Sequence, residues 1–249
     1  MNRVEKANQL YKQLHDEEIR LPDDHEYQAI IDRYVYGDVY QYGTLDLPTR
    51  EMILLVVNTT NHTLKSLKEH VYAAIQSGLS PVSIKEAIYQ CTSYIGIGKV
   101  EEALDVVNAV FKAQNITLPL ESCQTVDETT RFEKGFEVQS AAFGKEHIQA
   151  GHDNAPQELK HIQNYLSEYC FGDFYTRKGL SLKERELITF VMLATLGCCE
   201  NQLRAHTGAN LKVGNTRETL LETITQCQPY IGFPRTLNAI AIINEVTSK

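Results

Sequence analysis

Two stretches decide the fold: LDLPTREMILLVV, residues 45–57, and LSLKERELITFVMLATLG, residues 180–197. Each runs from a polar cap residue through an Arg-Glu pair into a long apolar segment. At an offset of 135, Leu45, Leu47, Arg50, Glu51, Ile53 and Val56 fall on Leu180, Leu182, Arg185, Glu186, Ile188 and Val191. The match spreads in both directions. Upstream, Gly37, Asp38 and Tyr40 repeat as Gly172, Asp173 and Tyr175. Downstream, after one extra residue, Leu67, His70, Gly78, Glu86, Gln90, Cys91, Tyr94, Gly96 and Asn108 repeat as Leu203, His206, Gly214, Glu222, Gln226, Cys227, Tyr230, Gly232 and Asn244. So long a period marks a duplicated domain rather than a solenoid. The copies are placed at residues 1–116 and 131–249, joined by a polar linker at 117–130.

Each copy is expected to be helical. Ser181 and Glu184 form a capping box ahead of LITFVMLATL, and Gly197 ends that helix. Asp46 is the corresponding cap in the first copy. The next helices are expected over about 63–77 and 199–213, each stopped by a glycine, Gly78 or Gly214. Ser80-Pro81 and Thr216 then start new helices, and Tyr-Ile-Gly interrupts the chain before the last one. Earlier helices are placed around 3–15 and 131–143. No segment alternates with period two for long enough to make a strand, so the fold class is all-α.

The 249 residues carry 32 acidic and 24 basic side chains, a formal charge of −8, which argues against nucleic acid or an anionic membrane surface as partner. Apolar runs such as MILLVV are far too short to span a bilayer, and the charged N-terminus has no signal-peptide core. A cytoplasmic location is therefore expected. Six scattered cysteines form neither a disulfide framework nor a metal knuckle, and His147, His152 and His161 lack metal-binding spacing, so no metal or cofactor is expected.

The helix-borne Glu, the His on the next helix, the glycine-stopped turn and the Glu…Tyr-x-Gly-x-Pro segment resemble the carboxymuconolactone decarboxylase family, which includes the alkylhydroperoxidase D-like proteins. The second copy carries the resemblance in QLRAHTGANLKVG and ETITQCQPYIGFPRTLNA; the first has Gly98 where the second has Pro234. The resemblance implies two tandem alkylhydroperoxidase D-like helical domains. It also implies a homo-oligomer, a trimer that forms a pseudo-hexameric ring, with clefts for a small-molecule substrate.

Two chemistries follow from it. The peroxidase branch resembles Glu-x11-Cys-x2-Cys-x3-His, and the first copy keeps that spacing as Glu51, Thr63, Ser66 and His70, with hydroxyls for thiols. The second copy offers Cys199 and Gln202 ahead of His206, so the resolving cysteine is missing and no dithiol cycle can run. The decarboxylase branch needs only an anion-holding pocket and a proton donor. The leading expectation is a cofactor-independent lyase in the better-preserved second copy. His206 would move the proton, Glu186 would orient it, and Arg185, Gln202 and Tyr230 would bind substrate. The alternatives are a thiol peroxidase using Cys199 alone and a non-catalytic binding or scaffold protein.

Overall fold

A computed structural model describes residues 1–15, 21 and 23–248. The first copy holds α1 (Arg3–Leu14), α2 (His25–Val35), α3 (Leu47–Asn61), α4 (Leu64–Gln76), α5 (Pro81–Gln90), α6 (Thr92–Ile95) and α7 (Ile97–Ala113). The second holds α8 (Arg131–Phe143), α9 (Lys145–Asp153), α10 (Lys160–Tyr165), α11 (Leu182–Leu196), α12 (Glu200–Lys212) and α13 (Arg217–Thr247). No strand occurs among the described residues, and none of their helices is long and apolar enough to cross a membrane.

The caps work as local chemistry requires. Asp46 accepts from the Thr49 amide, Ser181 and Glu184 close a reciprocal capping box, and Ser80 and Thr216 cap α5 and α13. Gly232, at φ 77°, breaks α13 two residues before Pro234, as Gly96, at φ 87°, separates α6 from α7. Only glycine takes that backbone without strain.

α3 and α11 are buried along residues 50–60 and 185–195, all the way round. A helix of that kind belongs at the centre of a molecule. Ile53, Leu55 and Val56 share one core with Ile188, Val191 and Leu193, flanked by Ile84 and Ile88 of α5 and Leu220 and Ile224 of α13. The two copies therefore have a common interior. A satellite cluster of Ala7, Leu10, Leu14, Val35 and Tyr36 fastens α1 and α2 to it.

Pattern reasoning does not anticipate α2, α9, α10 or the π-helical run Leu166–Tyr175 that leads into α11. That run packs against α8 so closely that a Cβ on Gly172 would overlap Arg131 O, and one on its match Gly37 would overlap Arg3 O. The aspartate after each glycine then grips the earlier helix. Arg131 pairs with Asp173 at 2.9 Å and Arg3 with Asp38 at 2.8 Å.

Candidate active site

Glu51 and Glu186 lie in the first turns of the two central helices, where the capping residues set their register and the surrounding core excludes water; both are 0 % exposed. Each meets the histidine of the following helix. His70 Nδ1 lies 2.9 Å from Glu51 Oε2, and His206 Nδ1 lies 2.7 Å from Glu186 Oε2. An ionised carboxylate only accepts, so Nδ1 carries the proton in both pairs and Nε2 is the working nitrogen.

The two Nε2 atoms meet different surroundings. In the first copy, His70 Nε2 accepts from the Tyr230 hydroxyl at 2.9 Å, and Tyr40 donates to Glu51 Oε1 at 2.5 Å. Every polar atom of that Glu-His pair is taken. In the second copy, the hydroxyl of Tyr175, the match of Tyr40, bonds Thr189 at 2.7 Å and Tyr94 at 2.9 Å instead. Glu186 Oε1 is left buried without a hydrogen-bond partner, and His206 Nε2 has none among the described residues. Phe143 and Tyr94 stand edge-on to the His206 ring, at 5.0 and 5.9 Å. The cause is one position: Thr189 offers a hydroxyl where its match Leu54 has none.

The matched tyrosines are exchanged between copies. Tyr230 belongs to the second copy but completes the first-copy site, and Tyr94 of the first copy faces His206. The Tyr-Ile-Gly break before the last helix of each copy directs each ring across the shared interior. The expected placement of Tyr230 beside His206 is thus corrected: its hydroxyl is spent on His70. Burial raises the Tyr40, Tyr94 and Tyr175 hydroxyls well above the usual phenol range, so all three remain protonated at neutral pH.

Arg185 also departs from its expected role. It is 0 % exposed, and its guanidinium points into the first copy, reaching Gln90 at 2.9 Å and Glu86 at 3.0 Å. Its match Arg50 reaches back to Gln226 at 2.9 Å. The Arg-Glu dipeptide divides its work: glutamate faces its own histidine while arginine ties the copies together. Glu86 is further held by Arg177 at 2.9 Å, and Glu222 accepts from the Thr44 and Leu45 amides.

Cys199 and Gln202 do not join His206. Cys199 precedes α12, with its thiol donating to Leu193 O at 3.2 Å beside Gly197 and Arg235. Burial raises that thiol, which disfavours the thiolate a peroxidase needs. Gln202 is exposed. In the first copy, Thr63 donates to Asn58 Oδ1 at 2.6 Å and Ser66 is half-buried; neither bonds His70. Cys199 falls outside the helical register of His206 because α12 begins only at Glu200, and Gln202, one turn before the histidine, stays at the surface. Among the described residues no cluster of metal-ligating side chains occurs, and His152 bonds Ser167 at 2.9 Å.

Reading from sequence passes over Tyr94, Phe143, Tyr175 and Thr189 as site residues. Tyr94 and Tyr175 were visible as members of matched pairs; Phe143 and Thr189 have no counterpart that would single them out.

Comparison with known proteins places the chain in a family. A family model described as the carboxymuconolactone decarboxylase family matches residues 25–109 and 160–245. The chain is 31 % identical over 121 residues to a 4-carboxymuconolactone decarboxylase of Acinetobacter baylyi, covering 49 % of this chain and 90 % of the relative. It is 26 % identical over 136 residues to nitrosuccinic acid decarboxylase of Metarhizium robertsii, covering 52 % of this chain and 94 % of that protein. One relative's length thus occupies half of this chain.

Proposed function

Because the chain belongs to the carboxymuconolactone decarboxylase family, we propose that its second copy, completed by Tyr94, is a cofactor-independent carboxy-lyase for a small lactone-type acid. The observation that carries this reading is the free Nε2 of His206, with Nδ1 held by Glu186 and aromatic rings on two sides. The bond from the ring carbon to the carboxylate breaks and releases CO2. Its electron pair delocalises toward the neighbouring carbonyl. The His206 imidazolium, steadied by the Glu186 carboxylate, then gives its Nε2 proton to carbon, and solvent restores that proton. Removing the substrate's carboxylate from water beside Phe143 and Tyr94 favours loss of its charge as CO2.

The first-copy pair has the same frame with Tyr230 seated on its histidine, and serves as a structural counterpart. The thiol-peroxidase alternative loses support from the position of Cys199. The test is to supply 4-carboxymuconolactone in D2O. CO2 release with one deuterium at the vacated carbon is expected; no CO2 from this or related lactone acids, under conditions where the folded protein binds them, rejects the reading.

A ring assembly fits the exposed surface. Tyr27, Ile30 and Ile97 are exposed apolar side chains, and their matched positions hold Ile162, Tyr165 and Phe233, also exposed. Exposed apolar residues recurring at matched positions of both copies are what three chains closing a ring of six domains would use.

A further inference from the structure

A cavity of about 510 Å³ opens where α5 and α7 of the first copy meet the linker and Arg177 of the second copy. Three cations line it, Lys85, Lys112 and Arg177, against two carboxylates, Glu86 and Glu121. Lys85 is only 9 % exposed, yet its ammonium has no carboxylate partner among the described residues, only the amide oxygen of Asn108 at 2.5 Å. Desolvation lowers its pKa, so the charged form is held there at a cost. Lys112 has no ion pair among the described residues either. Lys85 Nζ and Arg177 Cζ lie 5.8 and 5.4 Å from the ring centre of Tyr89, which also faces the cavity. Glu86, at the back, is engaged by both Arg177 and Arg185.

The duplication supplies an internal control. Glu86, Gln90 and Asn108 recur as Glu222, Gln226 and Asn244, so the framework of this region is common to both copies. The cavity's own groups do not recur: Lys85, Tyr89, Lys112 and Arg177 are matched by Leu221, Thr225, Ser248 and Tyr42. Folding the domain therefore does not require a buried ammonium at this position. In a protein of formal charge −8, cations gathered in one cavity at positions where the other copy carries none call for a negative occupant. Val82, Tyr89, Leu118, Pro119 and Leu120 give the wall an apolar part beside the polar Asn108, Ser122 and Glu121, and that mixture suits an organic body better than an inorganic oxyanion.

We propose that this cavity is a binding site, separate from the Glu186–His206 site, for a small organic anion bearing two or more carboxylates. Lys85 and Arg177 grip carboxylates on either side of Tyr89, and Lys112 closes the solvent side.

The test is isothermal titration of the full chain with citrate and with isophthalate at constant ionic strength, with sodium chloride and inorganic phosphate as controls. Saturable binding of at least one of the two is expected, weakened tenfold or more by Lys85→Leu and measurably by Lys112→Ser. Both changes install residues that the other copy already carries at the matched positions. Lys112 is exposed, so Lys112→Ser keeps the test decisive if Lys85→Leu fails to fold. Saturable binding of neither probe, equal affinity in the folded variants, or phosphate binding as tight as citrate overturns the proposal.

Discussion

At the scale of single residues, the difference between the two copies comes down to one hydroxyl. Thr189 captures Tyr175, so Glu186 Oε1 is left open, whereas Leu54 leaves Tyr40 free to bond Glu51. Thr189→Leu is expected to return Tyr175 to Glu186 and make the second site resemble the closed first one. CO2 release should fall by about tenfold, about 1.4 kcal/mol in barrier, with the melting temperature little changed. Unaltered kcat would show that Thr189 does not set the state of Glu186. Cys199→Ser should leave CO2 release as it was, since the thiol bonds Leu193 O outside the His206 contacts. A large loss would return the thiol to the chemistry. The Glu186–His206 pairing was legible in sequence because both members recur in the other copy, at a spacing that differs by one residue, and sit on regular helices. The places of Arg185 and Tyr230 were not. A helix's periodicity tells which residues share a face, but whether a buried face meets its own copy or the other depends on how two domains pack.

At the scale of elements, α3 and α11 are both the centre of the core and the carriers of the chemistry. Their N-caps, the stop of α11 at Gly197 and the breaks at Gly96 and Gly232 follow from local rules, and were legible for that reason. The π-helical run Leu166–Tyr175 was not, because a wide turn is stabilised by tertiary contacts, here the close approach of Gly172 to α8. Arg185 joins α11 to α5 through Gln90 and Glu86. Removing one member of a buried pair strands the other, at about 3–5 kcal/mol, but Arg177 continues to pair Glu86. Arg185→Met is therefore expected to lower stability by roughly 3 kcal/mol, read as a reduced urea midpoint at unchanged slope. A midpoint equal to that of the wild type would show that the arginine is not a tie between the copies.

At the scale of the whole molecule, the shared interior couples stability to the site tyrosines. Tyr40, Tyr94 and Tyr175 hold their protons above the ordinary phenol pKa when folded and release them near 10 when unfolded. Their contribution is therefore complete below pH 10 and is lost as pH rises from there through the folded values. Each group removes about 1.4 kcal/mol per pH unit in that window. Cooperative unfolding above pH 10 should coincide with ionisation of these three residues, read as the phenolate absorbance lost in their Tyr→Phe variants; their ionisation in the fully folded protein would contradict it. If the matched apolar faces close a ring, light scattering should give three times the 28.2 kDa chain mass, and charged substitutions at Ile97 and Phe233 should lower it. A stable monomer at micromolar concentration would refute the ring. The central claim is an asymmetric pair, one open Glu-His site served by a tyrosine from the other copy and one closed counterpart. CO2 release by His206→Ala and His70→Ala, compared side by side on 4-carboxymuconolactone, tests it most directly. The account expects loss of about 10²–10⁴-fold in His206→Ala and retained turnover in folded His70→Ala, and near-wild-type turnover in His206→Ala would contradict it.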